Sequence, residues 1–181
     1  MKNNRNFWLA ASTVALSATL AAYLRRSAPH SPLAVAPNVD LQKYMGEWFE
    51  IAHLPELFEK SSFKTKAQYT LLGDGSVEVV NSCHEGTPSG PLKKVKGRAT
   101  VADSSNHAKL QVQFFWPFKA DYWILDVDDE YRYALVGDPS RDSLWMLSRK
   151  PALDLVAVQQ LTAKAQALGF NTQRLLFTAH K

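Results

Sequence analysis

Between Gly46 and Arg149 apolar side chains recur at every second position in short runs, and turn chemistry interrupts them about every 8 to 15 residues. Ala67, Tyr69 and Leu71 alternate with Lys66, Gln68 and Thr70 before the turn Gly73-Asp74-Gly75, and Val77, Val79 and Asn81 then take the parity opposite to Glu78. Beyond a Gly- and Pro-rich loop from His84 to Pro91, Val95, Gly97, Ala99 and Val101 alternate with Lys94, Lys96, Arg98 and Thr100. Leu110, Val112 and Phe114 alternate with Lys109, Gln111 and Gln113. Successive β side chains point to opposite faces, so one apolar parity throughout means one shared interior. Runs at Tyr122–Val127, Tyr131–Gly137 and Leu144–Arg149, with Glu47–Leu54 first, bring the expected strands to eight. Tyr122–Val127 is apolar on both parities and receives no face from periodicity.

Pro151 then marks a helix start, and Leu153 to Leu168 carries apolar residues at 153, 157, 161, 165 and 168 before Gly169. The run Leu175-Leu176-Phe177 is expected to pair with a sheet edge. The fold class is therefore all-β: eight antiparallel strands in an up-and-down barrel, with one C-terminal α-helix packed outside. A barrel of eight strands leaves room inside for one small ligand. Gly97 and Ala99, facing inward at mid-strand, are expected to leave volume for it.

Ahead of this domain, Phe7 to Leu24 is an uncharged stretch of 18 residues, flanked by Lys2 and Arg5 on one side and Arg25 and Arg26 on the other. It is a signal peptide or a membrane anchor rather than part of the fold, which divides the chain into a targeting segment at 1–26, a Pro-containing linker at 27–39 and a domain at 40–181. The four bases just named are the only charges in the first 36 residues, so the rest of the chain carries 17 bases and 17 acids. A domain of zero formal charge lacks the excess that binds phosphate backbones, which argues against nucleic acid as a partner. The single cysteine, Cys83, excludes an intramolecular disulfide and a multi-cysteine zinc site.

Gly46-Glu47-Trp48 follows a helix-like turn at Leu41–Tyr44, Asp128-Asp129-Glu130-Tyr131 forms the hairpin between the sixth and seventh strands, and Arg149 ends the eighth. A guanidinium across the Trp48 indole would seal one end of the barrel. These elements, with Tyr44–Phe58, Phe114–Phe118 and Tyr122–Arg149, resemble the lipocalins over about residues 40 to 177, in particular the bacterial members and their plant temperature-induced and apolipoprotein D relatives. The resemblance implies a calyx that carries a fatty acid, a lysophospholipid or a similar amphiphile, placement in the cell envelope, a role in membrane lipid maintenance or stress protection, and in some members a homodimer. It also implies that Gly46, Trp48, Asp128, Tyr131 and Arg149 close the barrel and that Trp145 points into the cavity. Tyr69, Val79, Val112, Phe114 and Phe118 complete the expected lining or rim. Many bacterial members are lipoproteins acylated on a cysteine, and here none precedes Cys83, so membrane attachment is expected to run through residues 7–24 and not through a lipid anchor.

Other chemistry ranks lower. Cys83 and His84 are adjacent and so point to opposite faces of a strand, which keeps the imidazole from the thiol. The acids at 126, 128, 129 and 130 lack the spacing of a calcium loop, and no cofactor or metal is expected. Lys60, Lys64 and Lys66 are candidates to meet an anionic headgroup at the mouth. An enzyme built on the same barrel, and a protein-binding module using the Trp116-Pro117-Phe118 edge, are the rival functions.

Overall fold

The structure, a computed structural model, describes residues 32–55 and 62–180. The expected targeting segment and Lys60 lie outside them. A short helix, α1 (Leu41–Tyr44), leads into β1 (Gly46–His53), β2 (Ser62–Leu71), β3 (Val77–Glu85), β4 (Leu92–Val101), β5 (Lys109–Phe115), β6 (Phe118–Val127), β7 (Tyr133–Gly137) and β8 (Leu144–Ser148). The helix α2 (Leu155–Ala167) and a short strand β9 (Leu176–Phe177) follow. Each strand from β2 to β8 pairs antiparallel with the next, β8 pairs with β1 and β1 returns to β2, which closes an up-and-down barrel. Closure leaves the eight-stranded barrel without the exposed edges of an open sheet. The short ninth strand lies beside β1.

Two apolar clusters divide the interior. One fills the barrel and includes Trp48, Tyr69, Val77, Val79, Leu110, Val112, Ile124 and Val136. The other lies outside the barrel wall under α2, where Leu161 and Ala165 meet Leu125, Leu135, Leu144 and Met146, and Ala157 of the same helix is also buried. The spacing of those three helical residues, four apart, puts them on one stripe, and Asp154 caps the helix by accepting from the Ala157 N–H at 2.8 Å. Strand β6 is apolar on both parities because both of its faces are covered: Tyr122 and Ile124 look inward, while Trp123 and Leu125 join the cluster under the helix. A bulge between Ile124 and Asp126 then restores Val127 to the interior.

The linker expected at 27–39 is corrected for its second half. Leu33, Ala36 and Val39 are buried, and the Ala36 and Val39 N–H groups donate to Ile124 O at 2.9 Å and Asn106 O at 3.0 Å. Prolines suggested a spacer there, but the apolar residues between them dock on the barrel. The space expected above Gly97 is also corrected. A Cβ at that position would lie 2.6 Å from the Phe114 ring and 2.7 Å from Gln113 O, so the missing side chain accommodates Phe114 rather than a guest.

Candidate functional site

Antiparallel alternation places the β2–β3, β4–β5 and β6–β7 turns at one end of the barrel with α1, and the β1–β2, β3–β4, β5–β6 and β7–β8 connections at the other.

The first end is shut. The Arg149 guanidinium lies 3.8 Å from the centroid of the Trp48 ring and donates to three carbonyls: Glu47 O at 2.8 Å, Lys43 O at 2.7 Å and Tyr131 O at 3.2 Å. Trp48 is fully buried, with its indole N–H on Tyr44 O at 2.8 Å. Gly46 has φ +97°, which favours glycine, and a Cβ there would stand 3.3 Å from Arg149 Nη1, a tight approach to the guanidinium. Tyr131 accepts from the Asp40 N–H at 2.7 Å. Asp128 accepts from Nε and Nη2 of Arg132, each at 2.8 Å, and from the Glu130 N–H at 3.2 Å. The hydrogen bonds from Arg132 lower the Asp128 carboxyl to about 2. The five residues expected to close the barrel thus lie together at one end.

Above this plug three phenols form a chain. Tyr122 Oη is 2.8 Å from Tyr44 Oη and 2.9 Å from Tyr69 Oη. Burial raises all three hydroxyls, Tyr69 to about 12.

Between the phenols and the second end lies a cavity of about 380 Å³, lined by Glu50, Thr65, Lys66, Ala67, Tyr69, Val79, Asn81, Val112, Phe114, Ala120, Asp121, Tyr122, Trp145 and Leu147. Its volume falls within the roughly 300–1,000 Å³ of small-molecule sites. A larger depression of about 580 Å³, bordered by Gln42, Gly75, Ser104 and His107, opens to solvent among the turns of the shut end and lacks the enclosure an apolar guest requires. Of the residues expected on the wall, Tyr69, Val79, Val112, Phe114 and Trp145 are there. Phe118 is not: it is 77% exposed, because it pairs with Phe115 across the hairpin and so takes the outer parity opposite to Phe114. Ala67 and Asn81 were legible from their parity with Tyr69 and Val79. Tyr122 sat in the strand of unassigned face, and Glu50 shares parity with Trp48 but is charged.

Glu50 belongs to a seam. Strands β1 and β2 pair only from Gly46 to Phe49. Beyond that point the segment from Leu176 enters between them, with Leu176 and Phe177 pairing to His53 and Ala52, the Thr178 N–H donating to Ile51 O at 3.0 Å, and the Lys64 N–H donating to Ala179 O at 2.9 Å. The Thr178 hydroxyl donates to the Glu50 carboxylate, and His53 Nδ1 lies 2.9 Å from it. Of the lysines expected at the mouth, Lys66 reaches the wall with its ammonium 2.6 Å from Glu47, while Lys64 turns at φ +53° outside the lining. Cys83 is partly buried and outside the lining, and burial pushes its thiol up, with Glu50 and Glu85 adding to the shift.

The lipocalin-like domain family matches residues 39–180. The outer membrane lipoprotein Blc of Citrobacter freundii is 37% identical over 150 residues, covering 82% of this chain and 84% of that protein. Temperature-induced lipocalin-1 of Arabidopsis thaliana is 37% identical over 152 residues, 79% of this chain and 80% of the relative. Apolipoprotein D of Mus musculus is 37% identical over 153 residues, with coverage of 80% and 78%. Among solved structures, insecticyanin from the tobacco hornworm superposes with a TM-score of 0.67 at 20% identity, covering 83% of this chain and 86% of that one. Apocrustacyanin C2 gives 0.64 at 18% identity, with coverage of 78% and 80%.

Proposed function

The chain belongs to the lipocalin-like domain family, a family that binds small hydrophobic ligands, and from that premise we propose that it carries a lipid without transforming it. The cargo proposed is a long-chain fatty acid, a lysophospholipid or a similar amphiphile. The observation that carries this reading is the cavity of about 380 Å³ closed below by the Arg149–Trp48 plug. Each methylene buried there contributes about 0.8 kcal/mol, which supplies affinity with little demand on polar contacts. Tyr69, Val79, Val112, Phe114 and Trp145 are proposed as the ligand contacts, and the closure residues as structural. A headgroup would remain at the mouth, next to Lys66.

The cell envelope is the proposed location. The Citrobacter relative bears the name of an outer membrane lipoprotein, but this chain has no cysteine before Cys83, so any anchoring is proposed to run through residues 7–24. No helix of the described residues is long and apolar enough to cross a membrane. A homodimer and a role in lipid maintenance under stress belong to the same proposal.

Delipidated protein titrated with long-chain fatty acids and lysophospholipids should show saturable quenching of tryptophan emission, since Trp145 stands on the cavity wall. No saturable response to any long-chain lipid would overturn the carrier reading.

A further inference from the structure

The phenol chain on the cavity floor has an odd count of protons. Tyr44, Tyr122 and Tyr69 carry one O–H each, and the two contacts of 2.8 and 2.9 Å between them use two. Whichever way the chain is oriented, one O–H remains, and among the described residues these hydroxyls make no other hydrogen bond. Burial keeps the phenols above their ordinary value, so all three are donors throughout the physiological range. Two of them, Tyr69 and Tyr122, stand on the wall of the cavity.

A plain alkyl terminus driven down to this floor would leave the spare donor unmet in an apolar site, which is costly. An ionised carboxylate would meet one neutral hydroxyl and little else. The nearby cation, Arg149, is stacked on Trp48 and directed at three backbone carbonyls, so the desolvation of the anion would go uncompensated. A neutral oxygen suits the floor, because it accepts one proton and demands no counter-charge. A small void of about 10 Å³ next to the phenols is otherwise walled by apolar side chains such as Leu41, Met45 and Leu110, so a water molecule there would have only the phenols themselves for partners.

Resting on the carrier reading, we infer that the preferred cargo is a lipid whose buried end bears a neutral oxygen acceptor, a ketone, ether or hydroxyl, received by the Tyr44–Tyr122–Tyr69 chain. Tyr69 and Tyr122, the two phenols on the wall, are then specificity-determining residues for cargo, in addition to filling the floor.

The test titrates delipidated full-length protein with ω–1 keto fatty acids and with the matching unsubstituted acids, from dodecanoic to hexadecanoic, so that some length spans the cavity. At that length the keto acid is expected to bind about three- to tenfold tighter, the worth of one neutral hydrogen bond, and its carbonyl stretch should shift to lower frequency on binding. Tyr44→Phe leaves two hydroxyls sharing one bond, hence still one spare proton, and should keep the preference. The double variant Tyr69→Phe/Tyr122→Phe removes both hydroxyls on the wall and should bring the ratio of keto-acid to plain-acid affinity to about one, whatever it does to the affinity for either series. Equal or weaker binding of every keto acid to the wild type, or an unshifted carbonyl, would overturn the inference and leave the carrier reading intact. Failure of both series to bind would remove both.

Discussion

The two ends of the barrel are built on opposite terms. At the shut end a handful of side chains far apart in sequence converge on Arg149, and the guanidinium and the Trp48 indole N–H both donate to backbone carbonyls. At the mouth the β5–β6 hairpin exposes Phe115, Trp116 and Phe118 to 69%, 87% and 77%, and β1 and β2 meet only through an inserted segment. The stability of the fold is therefore concentrated away from the opening, which leaves the mouth free to vary without unfolding the barrel.

This contrast is sharpest in the response to substitution. Trp48→Ala removes a fully buried indole and the platform under Arg149, and should cost about 3–5 kcal/mol, read as a fall in the denaturant midpoint. A loss below about 1 kcal/mol would break the contrast. Asp128→Asn should cost less, about 1–2 kcal/mol, because its partner Arg132 is largely exposed and solvent screens the pair. Its pH dependence has a definite sign. The folded-state carboxyl titrates at about 2 against an ordinary 3.8, so the stabilisation is complete above about 4 and fades as the pH falls toward 2. Acid titration of unfolding in the wild type and in the Asn variant should therefore converge at the low end. The smallest effect is expected at the mouth. Phe118→Ser should change stability by no more than about 0.5 kcal/mol and leave lipid quenching unaltered, since the side chain is outside the cavity wall. A clear loss of lipid affinity would restore Phe118 to the site.

Alternation made most of the barrel legible in the sequence. The apolar parities of β2 to β5 point as read, the α2 stripe at 157, 161 and 165 is buried as spaced, and the guanidinium does lie on the Trp48 ring. What alternation could not give depends on breaks in the alternation itself or on contacts distant in sequence. The hairpin turn between Phe115 and Phe118 resets parity, so Phe118, expected from the resemblance to line or rim the cavity, takes the face opposite to Phe114. Gly97 looked like empty space because the ring that fills it comes from the neighbouring strand. The phenol chain joins residues 78 and 53 positions apart, and no local pattern signals it. Residues 33–39 were hidden by prolines whose local meaning, a spacer, is overridden by three apolar side chains that dock.

The inserted segment also bears on the order in which the chain can fold. Thr178 reaches Glu50 across 128 positions, and β1, the first strand to be synthesised, pairs locally with β2 over Gly46 to Phe49 but takes its remaining partners from β8 and from the residues beyond α2. Closing so long a loop is slow, and the wall cannot be completed while those residues are still unsynthesised. Until then the barrel cannot close, and β1 has at most its β2 edge paired.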